Sequence, residues 1–413
     1  MKILYPAAYF FPENVASSHL EHDMMAAFAA AGHTVDVICP VPTRGISEQV
    51  REQYRHVREE TLFDGSVRVH RFWAPQEGRN PLLRAFRYFW CNVQMYRLGR
   101  RFAGTDVLLA GSTPPTQGLL GRALKRKLRC PFVYDLQDIF PDSLVHTGLS
   151  HRGSLLWKIG RRIEDATYSG CDKIIVISED FRRNLLEKGV PAEKMEVIYN
   201  WIDTDEVHPI AKGENGLFEE FHLDPNVFLV IYAGNLGNAQ DGQNIIDAAG
   251  RLRGHSEIQF AIFAGGSEYA SLKEQAKQRA MKNVCFFPLL PQNRVSEVYS
   301  AGDIALITCK PGTGKAGLPS KAWSIMAAGT AIVAAFDTDS ELARILTSSR
   351  CGQVVEAGHS EALAAAILSA AQNRDECLVQ GRNGRDYVVA HLGKQVATRA
   401  YQEVMESVCR TIC

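Results

Sequence analysis

The sequence predicts an α/β protein made of two doubly wound domains, each built on a parallel sheet. Short apolar runs alternate with helical patterns along most of the chain, which is typical of repeated strand–helix units. The alternation starts again after a polar segment at 204–216. With 413 residues, the chain also exceeds the roughly 250–300 residues at which a single core stops growing. These observations predict two domains.

The first half contains six apolar runs that we interpret as strands, at 3–5, 35–38, 67–72, 107–109, 132–134 and 173–177. The helix after the first run carries Leu20, Met24, Met25 and Phe28 on one stripe. It ends at Gly32, because glycine suits the left-handed conformation of a helix cap.

The second half repeats this order. The predicted strands lie at 228–232, 260–263, 284–287, 304–307 and 331–334, and the predicted helices include 242–252, 321–328 and a last stretch at 394–408. The breaker-rich segment 204–216 is the predicted linker. We therefore assign a first domain to 1–205, a second to 206–390 and a terminal helical segment to 391–413.

Composition excludes several classes of function. Lys and Arg total 46, as do Asp and Glu, so no nucleic-acid partner is indicated. The ten cysteines contain no Cys-x-x-Cys pair, which argues against a zinc site or a disulfide framework and favours a reducing compartment. We find no signal peptide and no apolar run of about 18 residues. The expected location is cytoplasmic.

Two strand-to-helix turns of the second half have the composition of a phosphate site. Gly234, Asn235 and Gly237 follow the strand at 228–232, and Gly265 and Gly266 follow the strand at 260–263. Glycines allow backbone N–H groups to approach an anion closely. Either turn is equally compatible with an ordinary tight connection.

The loop at 311–321 is more informative. It contains Gly312, Gly314 and Lys315, and ends at Ser320 and Lys321. Ser320 is a predicted N-cap, which places Lys321 in the first turn of a helix, where a cation opposes the helix dipole. A bound diphosphate would reverse that effect, whereas the alternative is a solvated surface lysine. The loop is not a P-loop, because the required spacing is absent at a strand end.

These motifs occur in the order found in a known family. The chain resembles the large retaining family 4 of GT-B glycosyltransferases nearly end to end, and within it bacterial O-antigen and capsule enzymes related to fucosamine transferases. The motifs that carry the resemblance lie at 32–35, 135–144, 171–178, 197–203, 232–237, 283–288 and 317–329.

The resemblance implies a GT-B fold, in which two Rossmann-like domains face a central cleft and the last helix crosses back to the first domain. It implies a nucleotide-sugar donor bound by the second domain, without an essential metal or other cofactor. The donor residues would be Gly234, Asn235, Gly237, Gly265, Gly266, Gly314, Lys315, Ser320, Lys321, Ser324 and Glu341. The residues that contact the acceptor would be Glu13, Asn14, His19 and Asp138. The catalytic residues would be Lys321 and Asp138.

The sequence departs from the family pattern at three places. Ala316 and Ser324 stand where many members carry two glutamates eight positions apart. Gln137 stands at the position of a histidine, and the first loop, 11–18, has no glycine.

Two further signals are interpreted as structural. Asp203 and Asp205, and again Asp337 and Asp339, match an Asp-x-Asp metal–diphosphate motif. The first pair opens the predicted linker and the second precedes a helix start, so no metal site is expected. His19 and His22 form no ligand-spaced cluster. They are candidate acceptor contacts or, more simply, surface residues.

The stretch 79–102 combines aromatic and basic residues. It includes Arg79, Arg84, Arg87 and Phe89 and has no acid, a composition that suits an anionic membrane surface. A second basic stretch lies at 122–129. The alternative is a core-packed helix with a solvated charged side.

The sequence thus predicts a transferase that moves a sugar, expected to be an N-acetylated deoxyhexose, from a UDP-linked donor to a lipid-linked saccharide at the membrane surface. One alternative is a nucleotide-sugar 2-epimerase. Another is a non-catalytic nucleotide-sugar-binding subunit. A dinucleotide oxidoreductase is disfavoured, because no Gly-x-Gly-x-x-Gly follows a strand.

Overall fold

The computed structural model describes residues 1–13, 18–77, 80–146 and 151–410. They form two compact units, the first comprising 1–199 and 397–410 within these limits, and the second comprising 200–396. The prediction of two doubly wound α/β domains is confirmed.

The first unit contains an eight-stranded sheet in the order β3-β4-β2-β1-β5-β6-β7-β8 among the described residues. All neighbours are parallel except β3 and β4. The strands are β1 (Lys2–Pro6), β2 (Thr34–Pro40), β3 (Glu59–Leu62), β4 (Val67–Phe72), β5 (Val107–Gly111), β6 (Phe132–Leu136), β7 (Lys173–Val176) and β8 (Met195–Val197). The inner strands are almost fully buried, as expected when helices cover both faces of a parallel sheet.

Within the described residues, seven α-helices connect these strands, and an eighth follows near the end of the chain. They are α1 (Ser18–Ala30), α2 (Glu48–Tyr54), α3 (Pro81–Gly99), α4 (Gln117–Leu128), α5 (Asp142–His146), α6 (Leu155–Gly170), α7 (Glu179–Glu187) and α16 (Lys394–Arg410). Helix α1 ends at Ala30, and the glycine predicted to stop it, Gly32, follows two residues later with a φ of +74°. Helix α4 packs between α3 and α6, so these three helices cover the same face of the sheet.

The second unit contains a six-stranded parallel sheet in the order β11-β10-β9-β12-β13-β14. Its strands are β9 (Phe228–Asn235), β10 (Ile258–Gly265), β11 (Val284–Pro288), β12 (Ile304–Thr308), β13 (Ala331–Ala335) and β14 (Gly352–Val355). Its helices are α8 (Leu217–Glu220), α9 (Gly242–Arg251), α10 (Tyr269–Gln278), α11 (Val295–Ala301), α12 (Lys321–Ala327), α13 (Glu341–Ser349), α14 (Ser360–Gln372) and α15 (Arg374–His391).

Every strand expected from an apolar run is present, whereas β3, β8 and β14 were not expected. All three lie at the edge of a sheet. Their side chains are mostly half-buried or exposed, so they lack the apolar run that marks a buried strand. The local sequence does not predict these three strands. They form because each pairs with the neighbouring strand of its sheet.

The change of unit falls between Tyr199 and Asn200, six residues before the predicted boundary. The start of the predicted linker belongs to the second unit because α15 and the following residues hold it. The Arg385 guanidinium donates to the carbonyls of Thr204 and Val207 at 2.8 Å. The amide of Lys394 donates to the Ile202 carbonyl at 3.0 Å. Helix α16 begins in the second unit and belongs to the first from Ala397 onward.

Two further features concern the cysteines and the apolar character of the helices. The nine cysteines within the described ranges form no disulfide, and seven of them are buried. Within those ranges, we find no helix that combines the length and apolar character needed to span a bilayer.

Candidate active site

The predicted donor residues lie at the carboxyl ends of the strands of the second sheet. Strands β9, β10 and β11 succeed one another in one direction from the centre of the sheet, and β12, β13 and β14 in the other. The strand order therefore reverses between β9 and β12, which is where open α/β sheets bind ligands. Gly234 and Asn235 end β9, and Lys321 follows β12.

Lys321 reaches from α12 across this switch point to β9. Its Nζ lies 4.0 Å from the centroid of the Tyr232 ring. A Cβ placed on Gly234 would lie only 3.0 Å from the same nitrogen, so glycine provides the space that the ammonium occupies. The Tyr232 hydroxyl donates to the Asn235 carbonyl at 2.7 Å, which fixes the ring beneath the cation.

No carboxylate among the described residues forms an ion pair with Lys321, and burial lowers the pKa of its ammonium to about 8. Desolvation without an anionic partner disfavours the charged form, and an entering anion would restore it. The interpretation of Lys321 as a solvated surface lysine is therefore wrong. Its surroundings suit a group that carries negative charge.

The turn at 235–237 does not offer the backbone donors that the sequence suggested. The amide of Leu236 donates to the Gly265 carbonyl at 2.6 Å, and the amide of Gly237 donates to Gln240 Oε1 at 3.1 Å. Both N–H groups are thus used within the protein. The turn positions Asn235 and the end of β9, while the charge is supplied by Lys321.

The two glycines after β10 have different environments. Gly266 has a φ of +113°, and an added Cβ would lie 2.4 Å from Asn235 Oδ1 and 2.6 Å from the Leu236 carbonyl oxygen. At Gly265 the nearest atom would be 4.0 Å away. Gly266 therefore allows the turns after β9 and β10 to pack together, and Gly265 does not carry this constraint.

The glycine-rich loop after β12 is organised by the Asp-x-Asp segment after β13. The amides of Gly312 and Gly314 donate to Oδ1 and Oδ2 of Asp337 at 2.9 and 2.7 Å. Lys315 forms an exposed ion pair with Asp339. The expectation that N–H groups near Gly314 point at a ligand is thus corrected, because a carboxylate of the protein accepts the Gly314 N–H. Both carboxylates thus have partners within the protein, and the expectation that they hold no metal stays a prediction.

Ser320 occupies the predicted N-cap position of α12 but does not cap the helix with its side chain. Its backbone is helical, and its side chain makes no capping hydrogen bond. The capping serine of this edge is Ser340, whose Oγ accepts the Ala343 amide at the start of α13. Ser324 is buried in α12, and Glu341 is buried at the first position of α13.

In the first unit, Asp138 is exposed on the loop after β6, and the amides of Gln137 and Asp138 both donate to Ser112 Oγ. The sequence did not single out the buried Asp135 just before them. Its carboxylate accepts hydrogen bonds from the side-chain Nε2 of Gln137 at 3.0 and 3.2 Å, and from the Tyr401 hydroxyl of α16. Burial raises the pKa of Asp135 to about 6, against the opposing effect of these hydrogen bonds.

Glu13 has a role different from the predicted acceptor contact. It is only 3% exposed. Its Oε1 accepts the amides of Thr43 and Arg44 at 2.7 and 2.8 Å, and its Oε2 accepts the amide of Phe10. The carboxylate therefore holds two loops together. Asn14 lies outside the described residues, and His19 is exposed at the start of α1.

A small hollow, with room for about one water molecule, lies beside Asp138 in the first unit, with Ser112, Glu164, Thr167 and Tyr168 in its wall. Glu164 is buried there, pairs with Lys188 at 2.7 Å and accepts the Tyr168 hydroxyl at 2.7 Å. No sequence pattern indicated this pocket, because its residues come from three separate segments. It supplies polar and aromatic surface next to Asp138.

The remaining acidic motif is also structural. Asp203 pairs with Lys394 and accepts the amides of Asp205 and Glu206. Among the residues described, no group of three or more metal-ligating side chains is found.

Helix α3 forms most of the aromatic and basic stretch, and it exposes some of these side chains while it buries others. Leu83, Phe86 and Phe89 of its first half, together with the preceding Trp73, are 54–67% exposed; we call these four residues the α3 patch. Arg87 is fully buried and donates to the Pro75 carbonyl at 3.0 Å. It is thus not the surface cation that the sequence suggested, and Arg79 lies outside the described residues.

Two family models match the chain. The first, Glycosyltransferase Family 4, matches residues 21–206, and the second, Glycosyl transferases group 1, matches residues 215–387. The two matches follow the two structural units. The chain is a glycosyltransferase of this two-domain kind.

Among sequence relatives, the glycosyltransferase is 29% identical to "Putative colanic acid biosynthesis glycosyl transferase WcaI" of Escherichia coli strain K12, over 97% of this chain and 98% of the relative. Among solved structures, it resembles sucrose-phosphate synthase from Thermosynechococcus elongatus, with a TM-score of 0.74, 15% identity and 99% of each chain covered. It also resembles Anabaena Alr3699/HepE in complex with UDP, with a TM-score of 0.72 and 16% identity, over 98% of this chain and 100% of the other. These likenesses confirm the GT-B fold.

Proposed function

We propose that this glycosyltransferase moves a sugar from a UDP-linked donor, with retention and without an essential metal, to a lipid-linked saccharide during synthesis of a bacterial O-antigen, capsule or exopolysaccharide. The observation that carries the proposal is the Lys321 ammonium, desolvated over the Tyr232 ring with no carboxylate partner at the switch point of the sheet. A diphosphate there supplies the missing negative charge.

The chemistry required of Lys321 follows from this placement. As the bond between sugar and diphosphate breaks, negative charge develops on the leaving phosphate oxygens. A cation already desolvated stabilises this charge more strongly than one in water, because the local dielectric constant is lower. Tyr232 fixes the cation from below. Gly234 keeps the site free of a side chain that would displace it.

The proposal that the donor is UDP-linked is supported by one similar solved structure. The similar structure of Anabaena Alr3699/HepE contains UDP, which motivates UDP as the first nucleotide to test. The polysaccharide assignment is supported by WcaI, whose name refers to colanic acid biosynthesis. The proposed sugar is an N-acetylated deoxyhexose, as expected from the resemblance to fucosamine transferases.

The proposed acceptor site is the loop after β6. Asp138 is exposed there beside the pocket that includes Glu164 and Tyr168. A carboxylate next to aromatic rings suits the hydroxyl groups and apolar faces of a saccharide. The α3 patch is the proposed contact with an anionic membrane, at which a lipid-linked acceptor would be met on the cytoplasmic side.

The deciding experiment measures thermal stabilisation of the protein by UDP, GDP, ADP and CMP. Ligand at 100 times its dissociation constant adds about 2.7 kcal/mol to the free energy of unfolding. We expect UDP to stabilise the wild type and the control Lys277→Ala, which removes an exposed lysine of α10, but not Lys321→Ala. Equal stabilisation of all three proteins by UDP would contradict the role of Lys321. Stabilisation by none of the nucleotides would contradict the donor site.

A second measurement addresses catalysis. UDP-sugars are incubated with the protein, with and without extracted lipid-linked saccharides, and the products are identified. Sugar transfer that depends on the acceptor supports the proposal. Conversion of the donor without acceptor would identify an epimerase, and binding without any turnover would identify a nucleotide-sugar-binding subunit.

A further inference from the structure

Helix α6 begins with three large apolar side chains that face solvent. Leu155, Leu156 and Ile159 are 75%, 50% and 46% exposed; we call them the α6 patch. From Gly160 onward the helix is amphipathic in the ordinary way, with Glu164, Thr167 and Tyr168 buried. Its first turn and a half thus exposes apolar surface that the fold of the first unit does not use.

The topology places the α6 patch at the same edge of the unit as the α3 patch. Helix α3 follows β4 and ends just before β5, and α6 follows β6 and ends just before β7. Crossover helices run antiparallel to the strands that they connect, so both helices begin at the carboxyl edge of the sheet. Both lie on one face, on either side of α4. The described residues include fourteen exposed large hydrophobic side chains, and seven belong to these two patches.

The charge around the α6 patch is positive. Arg152, Lys158 and Arg162 are exposed, and none of them forms an ion pair with another described residue. The nearest exposed acid on the helix, Asp165, is already paired with Arg161 at 2.7 Å. By contrast, the exposed Arg84 at the apolar end of α3 pairs with Glu77 at 3.3 Å, and the exposed arginines at 97 and 100 lie at the remote end of that helix. The α6 patch therefore adds cations without an ion pair to a surface whose own nearby arginine is already paired.

We propose that the α6 patch, with Arg152, Lys158 and Arg162, binds the surface of an anionic lipid bilayer, and that it forms one lipid-facing surface with the α3 patch. Leucine and isoleucine enter the boundary between headgroups and acyl chains, while flanking cations bind lipid phosphates. This surface lies at the carboxyl edge that also carries Asp138. Its use for acceptor delivery rests on the proposed function, whereas lipid binding itself does not.

A bilayer fits this surface better than a second copy of the chain does. A symmetric dimer through the α6 patch would bring identical surfaces together, and the three unpaired cations of one copy would face those of the other. Like charges across an interface oppose association. A bilayer that contains phosphatidylglycerol presents the opposite charge across a plane.

The test is co-sedimentation of the full chain with vesicles of phosphatidylethanolamine and phosphatidylglycerol, and with neutral vesicles of phosphatidylcholine. We expect the wild type to bind the anionic vesicles, less tightly as salt rises. The triple variant Leu155→Ser/Leu156→Ser/Ile159→Ser should bind at least tenfold more weakly, as should Arg152→Gln/Lys158→Gln/Arg162→Gln. The control Leu378→Ser/Val379→Ser, which removes exposed apolar side chains of α15 in the second unit, should bind like the wild type.

The proposal is overturned if the wild type does not bind anionic vesicles, or if both α6 triple variants bind as tightly as the wild type. It is also overturned if the apolar triple variant turns a wild-type dimer into a monomer by sedimentation velocity, which would identify a self-interface. UDP stabilisation is measured on every variant. Because the proposed nucleotide site lies in the second unit, UDP stabilisation tests the donor assignment independently of the lipid result, and urea unfolding of each variant shows whether the first unit is folded. Failure of the wild type to bind anionic vesicles would also remove the membrane contact proposed for the α3 patch, while the donor assignment would stand.

Discussion

The Tyr401 hydroxyl donates a 2.9 Å hydrogen bond to Oδ1 of Asp135, although the two residues are 266 positions apart. Tyr401 lies on α16 and Asp135 on β6, and both side chains are buried. The side-chain Nε2 of Gln137 donates to the same carboxylate. The last helix of the chain thus stabilises the charge at the start of the loop that carries Asp138.

We expect Tyr401→Phe to destabilise the first unit more at pH 8 than at pH 4.5. Asp135 has a pKa of about 6, above its ordinary value, so it is ionised at pH 8 and mostly protonated at pH 4.5. A hydrogen bond to a charged group contributes about 1.5–3 kcal/mol, and one between neutral groups about 0.5–1.5. Urea unfolding at both pH values measures the difference. In an Asp135→Asn background the effect of Tyr401→Phe should not depend on pH; if it still does, another group is responsible.

The adjacent glycines Gly265 and Gly266 provide a matched pair of substitutions. We expect Gly266→Ala to lower the free energy of unfolding by about 1–3 kcal/mol, because alanine is strained at positive φ and its Cβ would collide with Asn235 and Leu236. UDP stabilisation should fall with it, since the turn after β9 must move. Gly265→Ala should change neither quantity appreciably. Equal effects of the two variants in thermal and urea unfolding would contradict the packing described here.

Asp337 and Asp339 differ sharply in what each stabilises. Asp337→Ala removes the acceptor for the amides of Gly312 and Gly314, which should cost about 1–3 kcal/mol of stability. Asp339→Ala removes only an exposed ion pair with Lys315, and its melting temperature should equal that of the wild type. UDP stabilisation should be the same in EDTA and in Mg²⁺. A Mg²⁺ dependence that disappears in both variants would instead identify a metal–diphosphate motif.

The low pKa of Lys321 predicts how UDP affinity depends on pH. The free protein loses the Lys321 proton near pH 8, and a bound diphosphate raises that pKa again because it favours the charged form. Affinity should therefore be nearly constant between about pH 7 and 7.5, where the UDP phosphates are ionised, and fall as pH rises through 8. Calorimetric titration between pH 7 and 9.5 measures this. Lys321→Arg keeps its charge over the whole range, so a decline of the same size in that variant would assign the pH dependence to the nucleotide.

The fold was predictable from the sequence because its signals are local. Each buried strand of a parallel sheet is a short apolar run, and each connecting helix has its own apolar stripe, so the restart of the pattern near residue 228 was enough to predict two domains. The edge strands β3, β8 and β14 were missed because an edge strand needs no apolar run. Their formation depends on a neighbour that only the folded sheet supplies.

The sequence by itself also determined which segments could carry the site, since glycine-rich turns after strands and Lys321 were visible without a structure. Only the tertiary structure decided what each of these groups contacts. It placed the Lys321 ammonium over Tyr232, gave the amides of Gly312 and Gly314 to Asp337, and used Glu13 to join two loops. Such pairings join residues far apart in the chain, and crossover connections and strand order bring them together. Composition and periodicity show which residues of each segment will be buried. The partner of a polar group depends instead on how segments far apart in the chain pack together.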